Sequence, residues 1–126
     1  MKYGIDKQEK FSIFTLQEDK LNSLVAPLLK SEMILLNAEG IRNIIFDMST
    51  IRFIDSSGLS SILIANRLCK NSGGTLVLTG VKEQVMRLIQ ISQLNTILNI
   101  MKSMQEAKDF ILMNDIEREF NEEPEA

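Results

Sequence analysis

Apolar and polar positions along the chain change period several times, and each change marks an element. Asn43-Ile44-Ile45-Phe46-Asp47 and Thr75-Leu76-Val77-Leu78-Thr79 are short, nearly continuous apolar runs that read as buried strands. Phe11-Ser12-Ile13-Phe14-Thr15-Leu16 partly alternates and is rich in β-prone residues, which predicts another strand, with Tyr3 to Lys7 as its hairpin partner. Between these runs the period lengthens. Leu24, Val25, Leu28, Leu29, Ile34 and Leu35 fall on one broad face of a helix that Asn22 or Ser23 caps and that runs to about Ala38. Pro27 lies in its first turn, where a missing N–H costs little, and Gly40 is a fitting stop. Leu59 to Cys69 carries apolar residues at helical spacing, so a second helix starts at Ser56 or Ser57 and reaches about Ser72, before a turn at Gly73-Gly74.

Gly80 breaks the strand at 75–79, and a helix follows from about Lys82 to Ile91 with Val85, Leu88 and Ile89 inward. A short strand is predicted at Ile97-Leu98-Asn99-Ile100. A closing helix over residues 103–120 then carries Ala107, Phe110, Ile111, Met113, Ile116 and Phe120 at spacings of three and four. Strands alternating with helices predict an α/β fold: a mixed β-sheet with parallel inner strands, covered by about four helices.

Composition narrows the function. The chain has 126 residues, enough for one hydrophobic core, and its 44% hydrophobic and 25% charged content is ordinary for a globular protein. The formal charge of −3 is unevenly spread: residues 114–126 hold six carboxylates against Arg118 alone, which leaves a weakly basic body. That body lacks the basic stripe of a nucleic-acid binder, so no nucleic-acid partner is expected. The expected division is a domain over 1–113 and an acidic extension over 114–126, read as a solubilising tail. No apolar run nears the roughly 20 residues that span a bilayer, and the first residues lack the apolar segment of a secretory signal. A single cysteine, Cys69, suits a reducing cytoplasm. It falls on the inward stripe Gly58-Ile62-Ala65-Cys69 and reads as a small core residue.

Candidate chemistry gathers at Asp55-Ser56-Ser57-Gly58, where two hydroxyls and a carboxylate stand at the mouth of a helix. Backbone N–H groups there have no intrahelical partner, and the dipole favours negative charge. A phosphate on a serine at such a place would be tolerated while adding about two negative charges to the surface. The plainer reading is that Ser56 or Ser57 simply caps the helix. A capping box would want Glu or Gln at its third helical position, but Leu59 and Ser60 stand there.

Catalysis is poorly supported. A hydrolase nucleophile elbow needs Gly-x-Ser-x-Gly and a histidine, whereas Ile54 stands two before Ser56 and the chain has no histidine. A zinc site of the usual nitrogen and sulfur ligands is excluded by the same lack. Asp47, at a strand end, lacks the second acid of a phosphoaspartate site, since Ser49 stands two positions on.

The stretch from Asn43 through Asp55-Ser56-Ser57-Gly58-Leu59 resembles the signature of the STAS-domain family of bacterial anti-sigma factor antagonists. Gly73-Gly74-Thr75-Leu76-Val77-Leu78 and Val85-Met86-Arg87-Leu88-Ile89 resemble the strand and helix that follow it, so the likeness spans most of residues 10–112. The resemblance implies a single STAS-like domain and a partner switch. The unphosphorylated protein would bind an anti-sigma factor that is also a serine kinase, freeing a sigma factor. Phosphorylation of Ser56 would end binding, and a serine phosphatase would reset it. The nucleotide belongs to the kinase, so no cofactor is implied for this chain. The alternative within the family is a scaffold or regulatory subunit of a stress-signalling or membrane transport complex.

The expected partner face comprises Asn22, Ser23, Asp55, Ser56, Ser57, Gly58, Leu59 and Ser60. Ile64 and Arg67 continue the line from Ser60, with Ile64 either a contact or a core residue. Gly58 serves close approach, of the helix to its neighbour or of a partner to the loop. Two departures from the family pattern stand out. Asp19-Lys20-Leu21-Asn22 occupies the place of a more acidic Gly-Glu-Leu-Asp, and Ser92-Gln93-Leu94 lacks a usual glycine.

Overall fold

The computed structural model describes residues 1–122. Strands β1 (Tyr3–Lys7), β2 (Ser12–Leu16), β4 (Ile44–Asp47), β6 (Leu76–Thr79) and β7 (Asn99–Met101) form one five-stranded sheet in the order β1-β2-β4-β6-β7. Only β1 runs antiparallel, pairing Ile5 with Phe14 in the expected hairpin. The other pairs are parallel, with Phe14 opposite Phe46, Phe46 opposite Leu78, and Leu78 opposite Ile100. The fold class is the one the sequence predicts.

Side chains alternate across the strands, so each row belongs to one face. Phe14, Phe46 and Leu78 face the larger core, closed by α1 (Ala26–Ala38), α2 (Ser56–Asn71) and α3 (Glu83–Ile91). Their neighbours Ile45 and Val77 face the other way, against Ala107 and Ile111 of α4 (Met104–Glu122). The Phe14 and Phe46 rings stack with centroids 5.5 Å apart. Cys69 is buried in the larger core as expected, and burial pushes its thiol pKa up to about 12.

Three expectations need correction. Helix α1 begins at Ala26 rather than after Asn22 or Ser23, and Val25 at its N-cap makes no side-chain capping bond. Its buried stripe is Ala26, Leu29, Met33 and Leu36. Leu24 (80% exposed), Leu28 and Leu35 form a second apolar stripe that faces outward, and Ile34 is exposed too. The last strand is displaced to Asn99–Met101, because Leu94–Thr96 winds into a 3₁₀ turn that draws Leu98 into the core. In α4 only the first half of the predicted face packs. Ala107 and Ile111 are buried, whereas Met113, Ile116 and Phe120 are exposed.

Helix α4 runs unbroken past residue 113, and polar bonds tie its second half to the sheet. Buried Asn43, just before β4, donates through Nδ2 to both Asp115 carboxylate oxygens (3.0 and 3.2 Å) and to the Lys10 carbonyl (3.0 Å). Its Oδ1 accepts from the Thr75 N–H at 2.9 Å. Arg118 Nη2 donates to the Gly74 carbonyl and the Thr75 hydroxyl. The last four residues of the acidic segment, 123–126, lie outside the described residues.

Candidate functional site

Beyond the C-terminal ends of β2 and β4 the two segments pair again in a two-residue parallel ribbon, β3 (Lys20–Leu21) with β5 (Phe53–Ile54). The ribbon brings the entrance of α1 and the entrance of α2 to one place. A single carboxylate then fastens them: Asp55 Oδ1 accepts from the Gly58 N–H at 2.9 Å, and Oδ2 accepts from the Ser23 N–H at 3.2 Å. Asn22 Oδ1 accepts from the N–H groups of Leu24 and Val25, closing the turn that leads into α1.

The N-cap of α2 is therefore Asp55, not Ser56 or Ser57. That assignment matters for the chemistry. Because the carboxylate satisfies the Gly58 N–H, neither serine hydroxyl is committed to capping. Ser56, the first helical residue, is exposed, as is Ser60; Ser57 is half-buried. The Ser56 Oγ has no hydrogen-bond partner among the described residues, whereas buried Ser61 spends its hydroxyl on the Gly58 carbonyl at 2.7 Å. The N–H groups of Ser56 and Ser57 point out of the helix start without an intrahelical partner. An anion carried on the Ser56 side chain would meet the positive end of the α2 dipole.

Gly58 and Leu59 are buried and hold the loop from beneath. A Cβ on Gly58 would collide with the Leu21 carbonyl and crowd the Ile54 side chain. Here the glycine serves contact between α2 and the ribbon. Asn22 is half-buried and Ser23 exposed, so six of the eight expected residues present surface at this edge of the sheet.

Beside the serines, α1 and α2 leave a groove of about 320 Å³ lined by Ser23, Pro27, Lys30, Ser57, Ser60 and Ile64. Ile64 is half-buried in its wall and Arg67 is exposed beyond it. Sequence reasoning missed three neighbours of this site. The sequence pattern does not single out Lys30 in the groove or Phe53, half-exposed in the ribbon, and it places the exposed Leu24 on the apolar face of the first helix. The signal for Leu24 was present: Leu24, Leu28 and Leu35 repeat at spacings of four and seven, a stripe of their own.

Residues 3–107 match the family model described as the STAS domain. The chain belongs to the STAS-domain family. Among solved structures, it resembles a candidate anti-sigma factor antagonist from Thermotoga maritima at 24% identity and a TM-score of 0.78, covering 86% of this chain and 93% of that one. The Bacillus cell fate determinant SpoIIAA in its phosphorylated form matches at 18% identity and a TM-score of 0.68, covering 87% and 99%. The murine anion transporter Slc26a9 matches at 16% identity and a TM-score of 0.69, where 86% of this STAS chain corresponds to 18% of the transporter. At these identities the likenesses speak for the fold. Among the described residues of this STAS protein no helix is long and apolar enough to cross a membrane.

Proposed function

We propose that this STAS protein is an anti-sigma factor antagonist controlled by phosphorylation of Ser56. In its unphosphorylated form it binds an anti-sigma factor that is also a serine kinase, and a sigma factor is released. The kinase transfers the γ-phosphoryl group of its own ATP to Ser56 Oγ: the β–γ phosphoanhydride bond breaks, the new P–O bond forms, ADP leaves and the hydroxyl proton passes to solvent. The modified protein lets go, and a serine phosphatase restores the hydroxyl by hydrolysis.

The observation that carries this reading is the division of labour between Asp55 and Ser56. Asp55 holds the loop through two backbone N–H groups, so the hydroxyl next to it is exposed and free of structural duty. Modification therefore changes the surface and leaves the framework alone. A likeness of fold to SpoIIAA in both its unphosphorylated and phosphorylated forms agrees with a framework that survives modification.

The proposed partner face is Asn22, Ser23, Asp55, Ser56, Ser57 and Ser60, with Gly58 and Leu59 as its support. The groove beside Pro27 and Ile64 supplies apolar contact. A dianion placed amid that face, close to the Asp55 carboxylate, imposes like-charge repulsion and a desolvation cost on any docked protein. A loss of about 2.8 kcal/mol weakens binding about a hundredfold, so no conformational relay is required.

Incubation with ATP and serine kinases of the same cell, followed by peptide mass spectrometry, tests the reading. One phosphate on Ser56, absent from Ser56→Ala, is expected. The rival reading, a scaffold or regulatory subunit, draws on the fold likeness to Slc26a9 and predicts no phosphate there.

A further inference from the structure

Strand β1 is an edge of the sheet, with no strand on its far side among the described residues. The Gln17 N–H donates to the Lys2 carbonyl and the Gln8 N–H to the Phe11 carbonyl, so the even-numbered residues of this antiparallel pair turn their backbone groups toward β2. Tyr3, Ile5 and Lys7 therefore turn N–H and carbonyl outward. At five residues this open edge is longer than the opposite one, β7, which has three. Such a row of unpaired groups is a template for a further strand.

Helix α1 overhangs the same side of the molecule. Leu28, Glu32, Leu35 and Glu39 follow one another at spacings of four, three and four, which places them on one stripe. Two of its members locate it: the Glu32 carboxylate lies beside the Tyr3 hydroxyl, and Glu39 pairs with Lys7 Nζ at 3.2 Å. The other two, Leu28 (50% exposed) and Leu35 (57%), thus stand above the β1 edge. One partner that brings both a strand and an apolar helix stripe covers both features together.

We propose that this side of the molecule binds a second copy of the chain about a twofold axis. The two β1 strands pair antiparallel, the two sheets become continuous, and the α1 stripes meet above the joint. The outward turn of Tyr3, Ile5 and Lys7 limits the register. Centred on Gly4, which has no side chain to hold the strands apart, it makes Tyr3 of one copy and Ile5 of the other the hydrogen-bonded pairs. Lys2 of one copy then lies opposite Asp6 of the other, in a pair without backbone bonds, where side chains approach most closely. The charges are complementary, and both residues are exposed. The outward stripe of α4, Leu112, Met113, Ile116 and Phe120, is less suited to a second copy, because Asp109, Glu117 and Glu119 flank it and would face their own kind. Neither Asp55 nor Ser56 takes part, so failure of this interface would leave the proposed function untouched.

Sedimentation velocity of the full chain, from about 1 μM to about 1 mM, tests it. The parent should pass from monomer to dimer within that range. Leu28→Lys with Leu35→Lys, both at exposed helical positions, should stay monomeric with an unchanged circular dichroism spectrum. Lys2→Asp sets like charges opposite each other and should weaken the dimer by about tenfold, and Asp6→Lys added to it should restore most of the loss. Hydrogen exchange reports on the strand itself: the amides of Tyr3, Ile5 and Lys7 should slow at high concentration in the parent and remain fast in the double leucine variant. A parent that is monomeric throughout overturns the proposal. So does a dimer that survives the double leucine variant, that leaves these three amides fast, or that Asp6→Lys fails to restore.

Discussion

At the C-terminal ends of β2 and β4, the Asp55 carboxylate accepts from two backbone N–H groups and leaves the neighbouring hydroxyl in solvent. At the N-terminal ends of β4 and β6, the Asp115 carboxylate accepts from Asn43, and the polar groups around it are drawn inward onto Lys10, Gly74 and Thr75. Similar groups are used at both ends with opposite results. Where the carboxylate stands at a helix entrance, backbone donors satisfy it and side chains beside it remain available for chemistry. Where it meets a buried amide, the network closes and locks α4 to the sheet. The first arrangement suits a surface that must change; the second suits a joint that must not.

The largest effect should come from breaking the closed end. Asn43→Ala leaves the Thr75 N–H and the Lys10 carbonyl without their partner and the Asp115 carboxylate with only its ion pair to Arg118, and should cost about 3–4 kcal/mol in urea unfolding. At low temperature, where that variant is still folded, Ser56 should remain as good a phosphate acceptor as before. Equal loss of both properties would mean that the two ends are not separable.

Next in size is Gly58→Ala. The added methyl meets the Leu21 carbonyl, so the ribbon and α2 must part. A loss of about 2 kcal/mol is expected, with faster hydrogen exchange around residues 20–23 and 53–58 and unchanged exchange at Asn43. Asp55→Ala removes the staple without adding bulk. It should cost about 1–2 kcal/mol, by loss of the α2 cap and of the tie to Ser23.

How much of this contrast the chain announces beforehand depends on pattern length. The central strands at 44–47 and 76–79 were legible because continuous apolar runs between turn residues admit few alternatives. The hydroxyls and carboxylate at Asp55-Ser56-Ser57 were legible as a site for a like reason: they interrupt an otherwise apolar stretch at a helix start. Two-residue strands such as Lys20–Leu21 and Phe53–Ile54 are too short to show a period, so the device that joins the two helix entrances was invisible. Helix α1 misled because it bears two apolar stripes, and spacing alone cannot say which one packs. Leu29 lies on the stripe that does and Leu28 on the one that does not. Nor could spacing choose between Asp55 and the serines as the cap, since all are good capping residues. The bond from Asp55 to Gly58 decides it.

The smallest effect concerns Cys69, on the helix that joins the two ends. Its thiol pKa is pushed up by burial from 9.0 to about 12. Folding therefore favours the protonated thiol, and its contribution to stability is full below about pH 9 and is lost as pH rises toward 12. Iodoacetamide should leave Cys69 unmodified in the folded chain at neutral pH and react only on unfolding. Modification of the native protein would show that the core between the two ends opens.

The central claim is that the state of one hydroxyl decides binding, and calorimetric titration against the proposed anti-sigma factor kinase tests it directly. Parent and Ser56→Ala should bind alike, while phosphorylated chain and Ser56→Asp bind more weakly, the phosphorylated form by about a hundredfold, with melting temperatures unchanged. Equal affinity for the phosphorylated and unphosphorylated forms would contradict it.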